Sequence, residues 1–289
     1  MKENIIKTKT LDIFYRQWGN DKSNPYLLIH GLASNSRIWD LIAPILATTK
    51  TVIAMDTRGH GKTEKPSENY DFETISNDID SFIKCIGIKM PILIGHSWGG
   101  SIALHYTATH LQKTKGLVFV DGGLIDISNK PGNTLSKALI DMAPPVFSDV
   151  TKAGLQKKIQ ARSWGSRDTT SLNSNLDDIV LSNFTENSDG TIIPRFNRKN
   201  HLQVIKELWG HDPKTFLNTV KGPVLNLPAR TDNHQSNFKA YHQNLIDYAE
   251  SHVEFLDTIW LENSIHDVPL QKPELVANTI INWAKKHGI

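Results

Sequence analysis

The chain of 289 residues has 39% hydrophobic residues and a formal net charge of +2. This apolar content is enough for a sizeable core, and the near-neutral charge argues against a nucleic-acid or polyanion partner. The single cysteine, Cys85, excludes an internal disulfide and fits a reducing compartment, so we expect a cytoplasmic protein. We find no apolar run of membrane-spanning length and no signal-like apolar stretch at the N-terminus, so we expect no membrane span.

Short apolar runs alternate with amphipathic segments, which predicts strands alternating with helices in a mainly parallel sheet covered on both faces. The predicted strands are residues 5–10, 11–18, 26–29, 51–55, 91–94, 115–120 and 223–227, with a last strand formed from 253–255 and 258–261. The predicted helices are residues 36–48, 72–86, 101–106, 238–251 and 273–286.

The alternation stops between Leu124 and about Lys221, where proline and glycine interrupt several helical patches. We interpret residues 124–220 as an inserted, mostly helical cap, and residues 1–123 with 221–289 as the core. The cap also carries apolar candidates for a substrate pocket, although most of them are expected to form its own core. These candidates are Met142, Pro144, Pro145, Val146, Phe147, Trp164, Leu208 and Trp209.

A serine stands between a predicted strand and a predicted helix, within the pattern Gly95-x-Ser97-x-Gly99. In this context the pattern is typical of a nucleophile elbow, in which a sharp turn lifts the serine hydroxyl clear of the sheet. Side chains two residues before and after the serine would collide in such a turn, which favours glycine at both positions. The amide of Trp98 and the positive end of the following helix favour negative charge at the same place.

Four polar residues lie at or just past the carboxyl ends of predicted strands. They are His30, Asp56, Ser97 and Asp121. Because ligands of open parallel sheets bind at this edge, their convergence predicts a functional site there.

Four parts of the sequence together carry a resemblance to a known family. They are His30-Gly31-Leu32, Asp56-x-Arg58-Gly59-x-Gly61, Gly95-His96-Ser97-Trp98-Gly99-Gly100 and the late His266. With them the chain resembles the α/β-hydrolase family over nearly its whole length. The resemblance implies an α/β fold: a mainly parallel eight-stranded sheet, helices on both faces and an inserted helical cap.

The resemblance also implies a triad in the chain order nucleophile, acid, histidine, in which Ser97 and His266 fill the first and last places. The acid has two candidates. Asp232 aligns with the usual acid position of the family, whereas Asp121 matches an alternative found in some members; we favour Asp232. The family places the oxyanion hole at the backbone N–H groups of Leu32 and Trp98, with His30 bracing the loop.

The predicted function is a serine hydrolase that cleaves a small, apolar carboxylic ester or lactone through an acyl-enzyme. No metal and no organic cofactor is expected, because no spaced His/Cys cluster and no dinucleotide fingerprint stands out. Haloalkane dehalogenases and epoxide hydrolases of this fold need an aspartate at the elbow, which Ser97 disfavours. The alternatives are a cofactor-free haloperoxidase-like enzyme, a carbon–carbon bond hydrolase and a weakly catalytic ligand-binding receptor.

Overall fold

The computed structural model describes residues 1–21, 24–231 and 236–289. The strands in chain order are β1 (Lys2–Lys7), β2 (Asp12–Trp18), β3 (Tyr26–Ile29), β4 (Val52–Met55), β5 (Ile92–His96), β6 (Gly116–Val120), β7 (Phe184–Glu186), β8 (Ile192–Pro194), β9 (Val224–Leu227), β10 (Ala229–Arg230), β11 (Leu256–Thr258) and β12 (Leu261–Glu262). The helices are α1 (Ala43–Leu46), α2 (Phe72–Ile86), α3 (Trp98–Thr109), α4 (Leu135–Asp141), α5 (Lys152–Ala161), α6 (Thr169–Leu172), α7 (Leu176–Leu181), α8 (Arg198–Gly210), α9 (Pro213–Leu217), α10 (Ser236–His252), α11 (Val268–Gln271) and α12 (Pro273–Lys286).

Eight of these strands form one sheet in the order β1-β2-β4-β3-β5-β6-β9-β11. The neighbours from β4 to β11 are parallel, while β2 runs antiparallel to both β1 and β4. This arrangement confirms the predicted mainly parallel sheet of eight strands. It also brings the carboxyl ends of β3, β4, β5 and β6 to one edge, where the predicted site residues follow.

Side chains of the central strands alternate between two apolar clusters, one on each face of the sheet. In β3, Leu27 and Ile29 pack on the face covered by α2 and α3, while Tyr26 and Leu28 pack on the face covered by α1 and α12. All four side chains are at most 1% exposed. Burial on both faces explains why these strands are continuous apolar runs in the sequence.

Helix α2 has the same bounds as the predicted helix. The Asp71 side chain accepts a hydrogen bond from the Thr74 amide at the N-terminus, and Gly87 ends the helix in the left-handed conformation with φ of 70°. These are the local signals that define a helix in sequence, a capping acid before the first turn and a glycine after the last.

The prediction of a helix over residues 36–48 is wrong. The structure has a 3-10 helix, Ser36–Trp39, and then the short helix α1. Pro44 lies in this stretch and has no amide hydrogen to donate, which prevents a continuous helix through it. The last predicted strand is also divided, because β11 joins the main sheet while β12 pairs with β10.

Residues 124–220 connect β6 to β9 and hold the six helices α4 to α9, as well as the antiparallel β7–β8 hairpin. The hairpin was not predicted, because strands of three residues carry no usable periodicity. That this segment is a cap over a site stays a prediction at this point. Among the described helices, none combines the length and apolar character that crossing a lipid bilayer requires.

Candidate active site

Ser97 lies in the sharp turn between β5 and α3, with φ of 54° and ψ of −126°. This backbone conformation is rare for a residue with a side chain and is sustained only by its surroundings. A Cβ atom on Gly95 would lie 2.3 Å from the Gly99 carbonyl oxygen, and one on Gly99 would lie 2.3 Å from the Ile29 carbonyl oxygen. Both glycines of the pattern are therefore required by direct backbone contact.

The loop after β6 supports the same turn from the other side. The Ser97 amide donates to the Val120 carbonyl over 3.1 Å. A Cβ atom on Gly122 would lie 2.2 Å from the Ser97 carbonyl oxygen, so only glycine fits this close approach. The serine is thus held between its own helix and the end of the neighbouring strand.

His266 lies in the loop between β12 and α11, and its ring reaches back to the elbow. Its Nε2 atom is 2.9 Å from Ser97 Oγ. The loop is fixed by His96, whose Nε2–H donates to the His266 carbonyl over 2.9 Å. The two imidazole rings are 4.9 Å apart between centroids, and burial together with the nearby His266 lowers the pKa of His96 to about 4. His96 therefore remains neutral and keeps its hydrogen bond.

Asp121 follows the last residue of β6 and contacts the other nitrogen of the same ring. Its Oδ2 atom is 2.6 Å from His266 Nδ1, and its Oδ1 atom accepts the Ala229 amide over 2.8 Å. Because a carboxylate only accepts, Nδ1 carries the proton and Nε2 is left to accept from Ser97. The structure therefore brings Ser97, His266 and Asp121 into one hydrogen-bonded chain.

The carboxylate and the imidazole shift each other's titration. Desolvation would lower the pKa of His266, but the hydrogen bond and charge of Asp121 outweigh it, and the pKa is raised above its ordinary value. Burial would raise the pKa of Asp121, but the contact with His266 lowers it overall. The His266 side chain is 56% exposed, so solvent screens part of this interaction. The pair nevertheless favours an ionised acid beside a more basic histidine.

Asp232, which the sequence analysis favoured as the acid, lies outside the described residues. Asp267 follows His266 directly, but its carboxylate pairs with Arg162 over 2.7 Å. In the part of the chain that the structure describes, the carboxylate in contact with His266 Nδ1 is that of Asp121. The geometry therefore supports the alternative candidate of the sequence analysis.

The two predicted oxyanion donors, Leu32 and Trp98, belong to backbone segments close to the serine, and their role stays a prediction. Trp98 is the first residue of α3, and its side chain is buried. Leu32 follows Gly31, on which a Cβ atom would lie 3.0 Å from Ser97 Cβ. His30 Nδ1–H donates to the Gly31 carbonyl over 2.7 Å, and this contact braces the loop as predicted.

Asp56 and Arg58, which belong to a segment quoted for the family resemblance, hold loops in place and do not contact the triad side chains. The Asp56 carboxylate accepts the amides of Ser36 and Lys62, each over 2.7 Å. Arg58 makes a two-pronged ion pair with the buried Asp78 at 2.7 and 2.9 Å. Both residues have the bracing role expected for them.

Half of the eight apolar candidates in residues 124–220 pack in the two core clusters. Leu208 is buried in one core cluster, with Met142 and Trp209 against it, and Trp164 is buried in the other cluster. Val146 is 73% exposed. In the described part of the chain, no group of three or more His, Cys, Asp or Glu side chains is placed to hold a metal ion.

Comparison with known families gives one decisive match. The model of the alpha/beta hydrolase fold family matches residues 24–259. The chain belongs to this family.

Several curated proteins are similar to parts of the sequence. A soluble epoxide hydrolase of Corynebacterium sp. is 34% identical over 97 residues, 34% of either protein. A non-heme chloroperoxidase of Streptomyces lividans is 28% identical over 151 residues, 51% of this chain and 48% of that protein. An uncharacterized protein of Mycobacterium tuberculosis is 30% identical over 162 residues, 53% of this chain and 46% of that protein. The chain thus matches about half or less of the length of these relatives.

Solved structures of the family show the same fold over nearly the whole chain. An E-2-(acetamidomethylene)succinate hydrolase superposes with a TM-score of 0.75 at 20% identity and covers 98% of this chain and 99% of that one. The enol-lactonase of Burkholderia xenovorans superposes with a TM-score of 0.71 at 14% identity, and the match covers 98% of this chain and 100% of that one. At these identities the likeness establishes the fold alone.

Sequence reasoning about this alpha/beta hydrolase missed the roles of two site residues. His96 belongs to the quoted motif, but nothing in the pattern indicates that its ring reaches the loop of His266. Ala229 supplies only a backbone amide to Asp121, and a backbone donor leaves no signal in the side-chain sequence. The position of Asp121 after a buried strand was the available signal for the acid.

Proposed function

We propose that this chain is a serine hydrolase that cleaves a carboxylic ester or a lactone through an acyl-enzyme, with Ser97, His266 and Asp121 as its triad. The observation that carries the proposal is the pair of contacts made by one imidazole, 2.9 Å to Ser97 Oγ and 2.6 Å to the Asp121 carboxylate. A serine hydroxyl is a weak nucleophile unless a base within hydrogen-bond reach accepts its proton. His266 has the position and the tautomer for that task.

In the first half of the reaction, Ser97 Oγ attacks the substrate carbonyl carbon while its proton moves to His266 Nε2. Asp121 stabilises the imidazolium that forms, and the amides of Leu32 and Trp98 bind the negatively charged oxygen. The carbon–oxygen bond of the ester then breaks, and the proton on Nε2 passes to the leaving alkoxide. The acyl group remains bonded to Ser97 Oγ.

In the second half, His266 Nε2 takes a proton from a water molecule, whose oxygen attacks the acyl carbon. The tetrahedral adduct uses the same two amides, and its collapse returns the proton from Nε2 to Ser97 Oγ. The products are the carboxylic acid and the free serine, and no atom is lost or gained by the protein.

Residues 124–220 are proposed to act as a cap over this site and to receive a small apolar substrate. Contacts from this segment to both catalytic loops support the proposal. The Asn35 side chain, three residues after Leu32, donates to Ser182 Oγ over 2.9 Å and to Asn183 Oδ1 over 2.6 Å. On the other side, Arg162 holds Asp267, next to His266, over 2.7 Å.

The proposal is tested by turnover of short p-nitrophenyl esters and lactones with the wild type and Ser97→Ala. We expect the variant to fold and to lose several orders of magnitude in kcat, and a fluorophosphonate to label Ser97 in the wild type only. Unchanged turnover in Ser97→Ala would show another nucleophile. Binding of these compounds with neither turnover nor labelling would favour the ligand-binding receptor.

The acid is tested by comparing three carboxamide variants. Asp121→Asn is expected to lower kcat by about 10⁴-fold, because the imidazole loses the partner that fixes its tautomer. Asp267→Asn serves as the matched control beside His266, and together with Asp232→Asn it should be far milder. A loss of this size in Asp232→Asn with a mild effect in Asp121→Asn would reverse the assignment.

A second candidate is a non-heme chloroperoxidase-like activity, favoured by the similarity to the enzyme of Streptomyces lividans. It predicts halogenation of an activated aromatic compound that depends on peroxide, halide and Ser97. Halogenation in the absence of any ester hydrolysis would favour this candidate over the first.

A further inference from the structure

The loop after β3 has a tight turn at residues 31–34, closed by the Ser34 amide donating to the Gly31 carbonyl over 3.2 Å. Ala33 stands at the third position of the turn with φ of 61°. That position favours glycine or asparagine, and a residue with a Cβ atom is held there only against a conformational cost. The turn includes Leu32, so whatever holds Ala33 also shapes the backbone of the proposed oxyanion donor.

The first peptide at Leu32 is fixed by His30. Since His30 Nδ1–H donates to the Gly31 carbonyl, its Nε2 is the acceptor, and it receives the Thr57 amide over 3.0 Å. The described peptide bonds are all trans, so the Gly31 carbonyl and the Leu32 N–H point in opposite directions. The Leu32 N–H is thereby turned away from the His30 ring.

The second peptide at Leu32 is fixed by His60, which no proposed catalytic step uses. Its Nδ1–H donates to the Arg58 carbonyl over 2.8 Å, so its Nε2 is unprotonated. That nitrogen accepts the Ala33 amide over 3.2 Å. Burial lowers the pKa of His60 well below its ordinary value, and a proton on Nε2 would face another N–H. The ring is therefore restricted to one neutral tautomer.

The faces of the His60 ring are also occupied. Phe196, from residues 124–220, stacks on it with a centroid distance of 3.7 Å and an interplanar angle of 17°. The indole of Trp98 lies 5.4 Å away at an angle of 36°. His60 is fully buried, so it contacts the turn of one proposed oxyanion donor, the side chain of the other and the proposed cap.

We propose that His60 is a positioning residue of the oxyanion hole: its Nε2 atom and its stacked ring hold the turn at Ala33 so that the Leu32 amide stays aimed at the reaction centre. The inference rests on the proposed function for the meaning of the Leu32 amide. The hydrogen bond from the Ala33 amide to His60 Nε2 is a structural feature of the loop, and its presence does not depend on any activity.

Kinetics of two variants separate positioning from core packing. His60→Asn keeps a donor near Nδ1 but has no acceptor in reach of Ala33, whereas His60→Gln places an amide oxygen near the position of Nε2. We expect His60→Asn to lower kcat about 10²-fold with little change in KM. The kcat of His60→Gln should be about tenfold or more higher than that of His60→Asn. His211→Gln is the control, because it removes another buried imidazole that does not contact the turn.

Two measurements decide the inference without any turnover. Imidazole nitrogen NMR of the wild type should show His60 protonated at Nδ1 only. Amide hydrogen exchange at Ala33 should be slow in the wild type and in His60→Gln, and fast in His60→Asn. The free energy of global unfolding of His60→Asn, measured with urea, should still exceed the free energy of the local opening that exposes this amide.

Each outcome has one meaning. Equal kinetic losses in His60→Asn and His60→Gln, unchanged exchange at Ala33, or a proton on Nε2 would overturn the positioning role. If the wild type hydrolyses no ester but Ala33 exchange depends on His60 as expected, the proposed function fails while the hydrogen bond stands. If esters are hydrolysed and exchange is insensitive to His60, only the positioning role fails.

Discussion

Each of the three proposed catalytic side chains is held by a local constraint. Ser97 and Asp121 both have positive φ angles, 54° and 44°. A residue with a side chain in such a conformation stores roughly 1–3 kcal/mol, which the surrounding contacts must offset. His266 is held differently, by the hydrogen bond from His96 to its carbonyl. The backbone is therefore strained at both the proposed nucleophile and the proposed acid.

The raised pKa of His266 predicts a pH dependence of hydrolysis. Only the neutral imidazole accepts the proton of Ser97, so kcat/KM should rise as pH increases through the pKa of His266. Because Asp121 raises that pKa, the midpoint should lie above the ordinary histidine value of about 6.5. In Asp121→Asn, the His266 pKa followed by proton NMR should move down. An unchanged His266 titration in that variant would mean that Asp121 does not act on the ring.

Ser97 and His266 could be predicted from sequence because each has a local marker, the glycine pattern of the elbow and the loop after the last strand, and the structure places the two side chains in contact. The acid has no such marker, since two candidate aspartates each follow a strand, and only the fold determines which carboxylate faces the imidazole. The hydrogen bond between His60 and Ala33 was equally hidden, because it joins a side chain to a backbone amide in another loop.

At the scale of elements, the β5–α3–β6 unit builds most of the site. Adjacent pairing of β5 with β6 brings the carboxyl ends of both strands together, with His96 opposite Val120. Ser97 and Asp121 each follow one of these residues. Backbone contact between the two loops replaces side-chain packing there, so the unit depends on glycine where the chains touch.

Gly122 tests this dependence on close backbone contact. Its added Cβ atom would lie 2.2 Å from the Ser97 carbonyl oxygen and 2.7 Å from Ser97 Cα. We expect Gly122→Ala to lower the free energy of unfolding by about 1–3 kcal/mol and to slow fluorophosphonate labelling of Ser97. Gly210→Ala is the control, since nothing lies within 4 Å of its added Cβ atom. Equal stability and labelling in both variants would contradict the tight contact at the elbow.

Elements with strong local signals were predicted well, and elements shaped by tertiary contacts were not. Helix α2 has a capping aspartate, an apolar stripe and a terminal glycine, and its bounds were predicted correctly. The stretch after β3 has an apolar pattern typical of a helix, but Pro44 and the loop contacts divide it. The β7–β8 hairpin was missed because strands so short are defined by their pairing, which only the fold provides.

At the scale of the whole molecule, residues 124–220 are attached to the rest of the protein through several loops. Besides the contacts of Asn35 and Arg162, the buried Asn200 reaches the loop before α2. Its Nδ2 atom donates to the Pro66 carbonyl over 3.0 Å and to Tyr70 Oη over 2.7 Å. The limits of this segment were predicted from the break in strand–helix alternation, but its attachment points are long-range polar contacts without a sequence pattern.

Asn200 provides a test of how much this attachment contributes to stability. Asn200→Ala removes two hydrogen bonds in a buried environment, while Tyr70 Oη still donates to the Pro66 carbonyl over 2.7 Å. We expect the free energy of unfolding, measured with urea, to fall by about 1–3 kcal/mol. Asn187→Ala removes an exposed hydrogen bond to Thr191 in the hairpin and is the control, with an expected change of about 0.5 kcal/mol or less. A similar small change in both variants would show that the contact of Asn200 contributes little.

The position of the proposed acid directly after β6 has a consequence for how the proposed site would assemble. Nucleophile and carboxylate belong to one supersecondary unit, so their relative placement is established when two neighbouring strands associate early in the chain. Only the imidazole must be delivered from the opposite end of the polypeptide. A fragment that ends before β12 would lack both this imidazole and α12, which covers one face of the sheet, so the last 29 residues would have to complete the core and the proposed triad in the same folding step.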